Sequence, residues 1–348
     1  SDVYKRQYQE QDVNCVVLIS PMQRAIDLAI ERDVDDWGDF WAIYCEEVEK
    51  TCDSLVAFKN EAYRHQARLW PEMVCSLMMH GPIEKGRDMT DFGAVDYNYV
   101  SVNALGVPNV SDSLYAIKTA VFEEGKFSLQ EVRDACRDDW SGEGEEAMRR
   151  YLLNLPKFGN DEDGPDAMAV AVSEQLREVL ESTRNLKGGN FRPSLFQYMG
   201  HTVAGPYLGA TPDGRKKNEP LAHGMNPMHG RNKKGMTATA NSFCKLDFRK
   251  YQGGSMQIEL HPSYFPEGVG RGTLVDHFST AFMKMGGVQI NLNVFDLEEL
   301  RDAYEHPGKT EYDDIVVKVT GYSAHFTKMD RHFQKEFVER VNYGSLDD

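Results

Sequence analysis

Several short runs gather residue types that can do chemistry. Asn226-Pro227-Met228-His229-Gly230-Arg231 sets an imidazole beside a guanidinium, and His229 could act as an acid or a base near neutral pH. A lone histidine also commonly serves a structural role. Glu84, Lys85, Asp88, Asp91 and Asp96 cluster ahead of Tyr97-Asn98. Paired carboxylates there could do acid–base work, or the cluster is a solvated loop face. In Gly209-Ala210-Thr211-Pro212-Asp213-Gly214-Arg215, Pro212 sets φ, Asp213 bonds back and Gly214 accepts positive φ, so in isolation the run reads as a surface turn. It is not a phosphate loop, because both the G-x-x-x-x-G-K-S/T and the G-x-G-x-x-G spacings are missing. Gly321 follows the apolar run Ile315-Val316-Val317-Lys318-Val319-Thr320 and by itself reads as a glycine that turns the chain at the end of a strand. No G-x-S-x-G or H-E-x-x-H is present.

The elements that must carry these runs fall into two textures. Ser20-Pro21-Met22-Gln23 predicts a helix start, with Ser20 as cap, Pro21 in the first turn and Gln23 completing a capping box. Trp37 to about Met79 reads as one long helix, with Phe40, Trp41, Tyr44, Val48, Leu55 and Leu69 at helical intervals. Residues 80–111 show little periodicity and are expected to be a long loop. Asp112–Glu124 is expected to be helical and to stop at Gly125. Ser128-Leu129-Gln130-Glu131 is a capping box, and helices are predicted near 129–138, 144–154 and 166–186. From about 187 the chain becomes rich in glycine turns. Strands at 255–260, 288–295 and 315–320 then alternate with helices at 274–285, 297–305 and 331–341, which argues for α/β packing with a parallel or barrel sheet.

The 348 residues carry 39 Lys+Arg against 55 Asp+Glu, a net charge of −16. No stripe of basic residues interrupts that acidity, which argues against a phosphate-backbone partner. With 41% hydrophobic residues the chain can build a core, so disorder is excluded as its dominant state. No apolar run approaches the roughly 20 residues that a membrane-spanning helix needs. Cys15, Cys45, Cys52, Cys75, Cys136 and Cys244 match no C-x-x-C or zinc spacing, and are expected to be reduced, mostly buried thiols in a cytoplasmic protein. The chain opens Ser1-Asp2-Val3-Tyr4, without Met or a signal-peptide pattern, so its length is not taken as that of a whole protein.

Taken together, the runs resemble the glycyl radical enzymes, the family of pyruvate formate-lyase and the radical dehydratases and decarboxylases. Val317–Ala324 resembles the family's radical signature and Gly209–Arg215 its G-A-T-P-D-G-R turn. Glu219–Ala222, Asn226–Arg231, Lys245-Leu246-Asp247 and Gly287–Val294 continue the likeness, in family order. Upstream, Glu84–Asp88, Tyr97-Asn98, Val110–Leu114 and Phe158–Asp161 also fit.

This resemblance implies that Gly321 stores an unpaired electron on its backbone Cα. Lacking Cβ, that centre can flatten, and the flanking amide and carbonyl spread the spin. Lys318, Thr320 and Tyr322 would neighbour the radical; Lys318 stands where Arg is usual, and Thr320 where Ser, Ala or Cys is usual. The radical would be installed by a separate iron–sulfur activating enzyme that uses S-adenosylmethionine, so no bound cofactor or metal is expected. In the family the radical passes to a cysteine. Cys15 lies 306 residues ahead of Gly321, but it lacks the family's Gly before and acid after, so the thiyl cysteine is expected upstream of residue 1. The implied fold is the C-terminal half of a ten-stranded α/β barrel with many surrounding helices. Residues 1–211 would be the end of a pyruvate formate-lyase-like domain and 219–348 the glycine radical domain. Expected partners are the activating enzyme, a small-molecule substrate and, at full length, a second copy, with no nucleic acid or membrane. Two alternatives remain: a radical-carrying accessory subunit, and an α/β binding protein that has lost the radical.

Overall fold

The computed structural model describes residues 7–10, 14–197, 199–265, 271–340 and 342–343. Two short strands, β1 (Gln7–Glu10) and β2 (Cys15–Val17), lead into α1 (Ile19–Glu31). Ile19, Met22, Ala25, Ile26 and Ala29 recur every three or four residues and form its buried face. The helix starts one residue ahead of Ser20, which caps nothing. Leu18 holds the cap position without a side-chain bond, and its N–H donates to Leu105 O at 3.1 Å, so the sheet fixes the entry.

α2 (Trp37–Leu69) opens on Asp36, whose carboxylate accepts from the N–H groups of Gly38 and Asp39. The single helix expected to run to Met79 ends at Leu69 because Pro71 follows: proline carries no N–H and crowds the residue before it. Two short helices, α3 (Met73–Leu77) and α4 (Pro82–Lys85), come next. The expected loop then contains the central strand of the first sheet, β3 (Tyr97–Leu105). Val100-Ser101-Val102-Asn103-Ala104 does alternate, but Ser101 and Asn103 are polar residues typical of loops, and here they are buried along with the rest of Val100–Leu105.

Gly106 turns at φ +82° into α5 (Val107–Ile117), and a wider turn over Lys118–Glu123 ends before Gly125, so the helix starts five residues earlier than predicted. The capping box of α6 (Leu129–Arg137) forms as read, with Glu131 N–H on Ser128 Oγ and Ser128 N–H on the Glu131 carboxylate. α7 (Glu145–Asn154) and α8 (Asp163–Ser182) follow, and β4 (Phe191–Ser194) joins β1 and β2 as a parallel partner of β3. α8 packs against β4 and against α5.

The second part contains α9 (Gly200–Ala204), α10 (Gly235–Cys244), β5 (Met256–Leu260), α11 (Arg271–Lys284), β6 (Ile290–Val294) and α12 (Leu297–Glu305). Then come β7 (Val316–Lys318), β8 (Ser323–His325), α13 (Arg331–Val338) and β9 (Asn342–Tyr343). β5 is central to a parallel sheet of order β6-β5-β9. The strand expected over 315–320 is not one of its members. β7 turns back as an antiparallel hairpin with β8. Among the described residues no helix is long and apolar enough to cross a membrane.

Candidate active site

The hairpin places its residues by alternation. Val317 and Val319 are buried with Leu300, Phe326 and Phe337 in a small core of their own, while Val316 and Lys318 face outward. At the tip the Val319 N–H donates to Tyr322 O at 2.9 Å, which leaves Thr320 and Gly321 as the two central residues of the turn. Gly321 has φ +120°, a backbone conformation that side chains disfavour. Space does not demand glycine: an added Cβ would meet its nearest neighbour, Gln289 Nε2, at 3.9 Å. Thr320 is buried and its Oγ1 has no hydrogen-bond partner. Gly321 and Tyr322 are exposed.

Beneath the hairpin lies a polar face. The parallel register pairs Gln257 with Asn291 and Glu259 with Asn293, so all four share one side of the sheet. Gln289 Nε2 donates to Asn291 Oδ1 at 3.2 Å, and the Asn293 amide donates to Lys318 O at 3.0 Å and accepts from Lys318 N–H at 2.6 Å. None of these amides stood out as a functional residue in the sequence. The alternation in Gln289-Ile290-Asn291-Leu292-Asn293 is the signal that could have found them.

Asn293 continues into a buried charge network. Its Nδ2 lies 3.3 Å from Glu259 Oε1, which Arg340 contacts at 2.5 Å. Arg340 also holds Glu336 at 2.7 Å and donates to His223 Nδ1 at 3.3 Å. His201 Nε2 reaches Glu336 at 3.1 Å. Burial alone would raise Glu336, but the Arg340 guanidinium and His201 overcome it and hold the carboxyl well below its ordinary range. Burial wins at Glu259, whose pKa rises despite Arg340. Burial holds His223 well below its ordinary value and pushes His229 down to about 4, so the acid–base candidate of the sequence is a neutral imidazole at neutral pH.

His201, His223 and Glu336 form a three-donor cluster of the kind that can hold a metal. Their geometry suits a guanidinium better. The two rings stack at 4.2 Å and 15°, so their in-plane lone pairs run side by side instead of converging. Arg340 already supplies the cation to both His223 and Glu336.

The other predicted residues scatter. The run Gly209–Arg215 is not a surface turn: Thr211, Asp213 and Arg215 are fully buried. It closes on itself, with Thr211 N–H on Arg215 O at 3.0 Å, and the Arg215 guanidinium donates to the carbonyls of Gly209, Lys216 and Glu219. Most of the turn's polar groups are paired inside the fold, which lets it leave the surface, while the buried Arg215 Nε keeps no partner. Asp112 nearby is pushed up to about 7 by burial, with Lys157 opposing. Glu84 caps the Gly81 N–H from the solvent side. Cys15, read as a core thiol, is exposed on β2 opposite Asn103. The structure therefore unites Lys318, Thr320, Gly321 and Tyr322 at one tip and places Cys15 in a different sheet.

Comparison with known proteins adds the family. The Pyruvate formate lyase-like model matches residues 19–205 and the Glycine radical model residues 221–327. The chain belongs to the glycyl radical enzyme family. It is 32% identical over 338 residues to a probable dehydratase, YbiW, of Escherichia coli K12, covering 93% of this chain and 40% of that protein. It is 28% identical to the trans-4-hydroxy-L-proline dehydratase of Clostridioides difficile, again over 93% and 40%. The fold superposes on the glycerol-bound form of the B12-independent glycerol dehydratase from Clostridium butyricum with TM-score 0.90 and 29% identity, over 97% of this chain and 44% of that one. The chain thus spans about two-fifths of the length of the curated relatives it matches.

Proposed function

We propose that Gly321 is the radical site of this chain and that its radical serves dehydratase-type chemistry on a small organic substrate. An activating enzyme carrying an iron–sulfur cluster and using S-adenosylmethionine would remove one hydrogen atom from the Gly321 Cα. The glycyl centre would then take a hydrogen atom from a cysteine S–H. The resulting thiyl would take one from a substrate carbon, the neighbouring hydroxyl would leave as water with a proton released elsewhere on the substrate, and the product radical would take the hydrogen atom back from the cysteine S–H. The dehydratases among the relatives support this reaction over acyl transfer, although an indoleacetate decarboxylase is also among them. We further propose that residues 219–348 act as the glycine radical domain and 1–211 as part of the pyruvate formate-lyase-like domain.

The observation that carries the reading is the hairpin tip: a glycine held at φ +120°, beside open space and a single amide, on an apolar core that fixes the turn. The same exposure of Gly321 favours one second reading, in which the chain hands its radical to a separate partner chain.

Anaerobic incubation with an activating enzyme, reductant and S-adenosylmethionine should give an electron-spin doublet, and admission of air should then cleave the backbone at Gly321. Absence of both signals would reject the reading. The isolated chain should form no product, and product formed by it after activation would reject that part of the proposal.

A further inference from the structure

The hairpin is joined to the polar face of the sheet in an unusual way. Among the described residues β7 and β8 pair only with each other, outside the β6-β5-β9 sheet. The link is a side chain: the Asn293 amide gives one hydrogen bond to the Lys318 carbonyl and takes one from the Lys318 N–H, as a neighbouring strand would. Four residues earlier, Gln289 Nε2 is the group nearest to where a Cβ on Gly321 would stand, at 3.9 Å. The hairpin therefore lies along β6, with Lys318 over Asn293 and Gly321 over Gln289. Asn291, between those two contacts, keeps a buried Nδ2 without a partner, as does Thr320 Oγ1. The same device recurs independently at Asn226, whose amide donates to Gln257 O at 2.7 Å and accepts from Gln257 N–H at 2.9 Å.

We propose that Asn293 is the positioning residue for Gly321. By gripping Lys318 on both its N–H and its C=O, it sets the register of the hairpin on β6 and so fixes which group faces the glycine Cα. A slip of one residue would turn every hairpin side chain to the opposite face, carrying Val317 and Val319 out of their core and moving Gly321 off Gln289. The grip is itself held: Asn293 Nδ2 also points at Glu259, which Arg340 fixes. The proposal rests on Gly321 being the radical site.

The test compares Asn293→Leu and Asn293→Asp with the unaltered chain. Asn293→Leu removes both hydrogen bonds. Asn293→Asp keeps the acceptor, loses the donor and sets a second carboxylate against Glu259. Amide hydrogen exchange, followed by mass spectrometry over peptides spanning 315–325 and 97–105, reads the grip without any radical. Loss of two hydrogen bonds predicts exchange about tenfold faster or more in the hairpin peptide of Asn293→Leu, with the β3 peptide unchanged. Asn293→Asp should fall between. Unchanged hairpin exchange, or an increase shared equally by both peptides, overturns the proposal. The second readout is the electron-spin doublet per intact chain after anaerobic activation. It should fall in the order wild type, Asn293→Asp, Asn293→Leu at equal melting temperature, and equal doublets in all three overturn the positioning role. A wild-type chain without a doublet rejects Gly321 as the radical site, whereas a wild-type doublet that both variants match rejects only Asn293.

Discussion

The sheet around β3 and the platform under the glycine hairpin hold their strands by different physics. β3 is enclosed by apolar surface: Val100, Val102, Ala104 and Leu105 are buried against helices that contribute Leu114, Leu176 and Leu180, with Phe191 on the adjoining strand. Such a core is non-directional, so it stabilises any close packing of the right shape. The hairpin has a small apolar core beneath it, but its attachment to β6 is made by Asn293 and, behind that, by Glu259, Arg340, Glu336 and His201. Hydrogen bonds and buried ion pairs fix direction and register more sharply than they add stability. The region that holds the proposed radical glycine thus uses the directional interactions.

The largest expected effect breaks the comparison at its centre. Gly321→Ala should abolish both the electron-spin doublet and oxygen-dependent cleavage while costing only about 1–3 kcal/mol in chemical denaturation, because the penalty is backbone conformation and not a clash. A retained doublet would remove Gly321 from the site. Next come two matched truncations. Phe191→Ala should cost about 3–5 kcal/mol by opening a cavity. Arg340→Ala should cost a similar ~3–5 kcal/mol for a different reason, since it leaves Glu336 and Glu259 buried without their cation. An Arg340→Ala loss below about 1 kcal/mol would show that the buried charge network does not hold the hairpin platform.

A smaller effect separates them by pH. The His229 pKa is depressed from 6.5 to about 4 in the folded chain. Below 6.5 the unfolded chain therefore binds the extra proton first, so the stability contributed by this group is complete above 6.5 and falls as pH drops towards 4. His229→Gln should flatten that part of the melting-temperature profile, and an unaltered slope would show that His229 does not titrate in this way. The smallest expected effect belongs to Cys15→Ser, which should leave both the doublet and the melting temperature unchanged because Cys15 is exposed on the other sheet. A lost doublet would restore Cys15 as a radical partner.

Legibility in the sequence followed the range of the interactions. The Ser128–Glu131 capping box and the helix Leu297–Glu305 were readable because their partners lie within one turn. Ser20 failed as a cap because Leu105, far along the chain, receives the Leu18 N–H. β3 was missed although Val100-Ser101-Val102-Asn103-Ala104 alternates, because Asn98, Ser101 and Asn103 read as loop and only the folded chain buries the strand on both faces. The run Gly209–Arg215 was correctly read as a turn but placed on the surface, since only the folded chain reveals that Arg215 satisfies its carbonyls from within.

By itself the sequence determined the family likeness, the α/β alternation of the second half and the one glycine that ends Ile315–Thr320. Each depends on residue order or on contacts a few positions apart. The tertiary structure alone decided that this run is a hairpin and not a barrel strand, and that Asn293 grips it. It alone assembled His201, His223, Glu259, Glu336 and Arg340 into one buried network. Those residues are spread along the second half of the chain, and a buried charge signals its role only when folding brings its partner within a few ångströms.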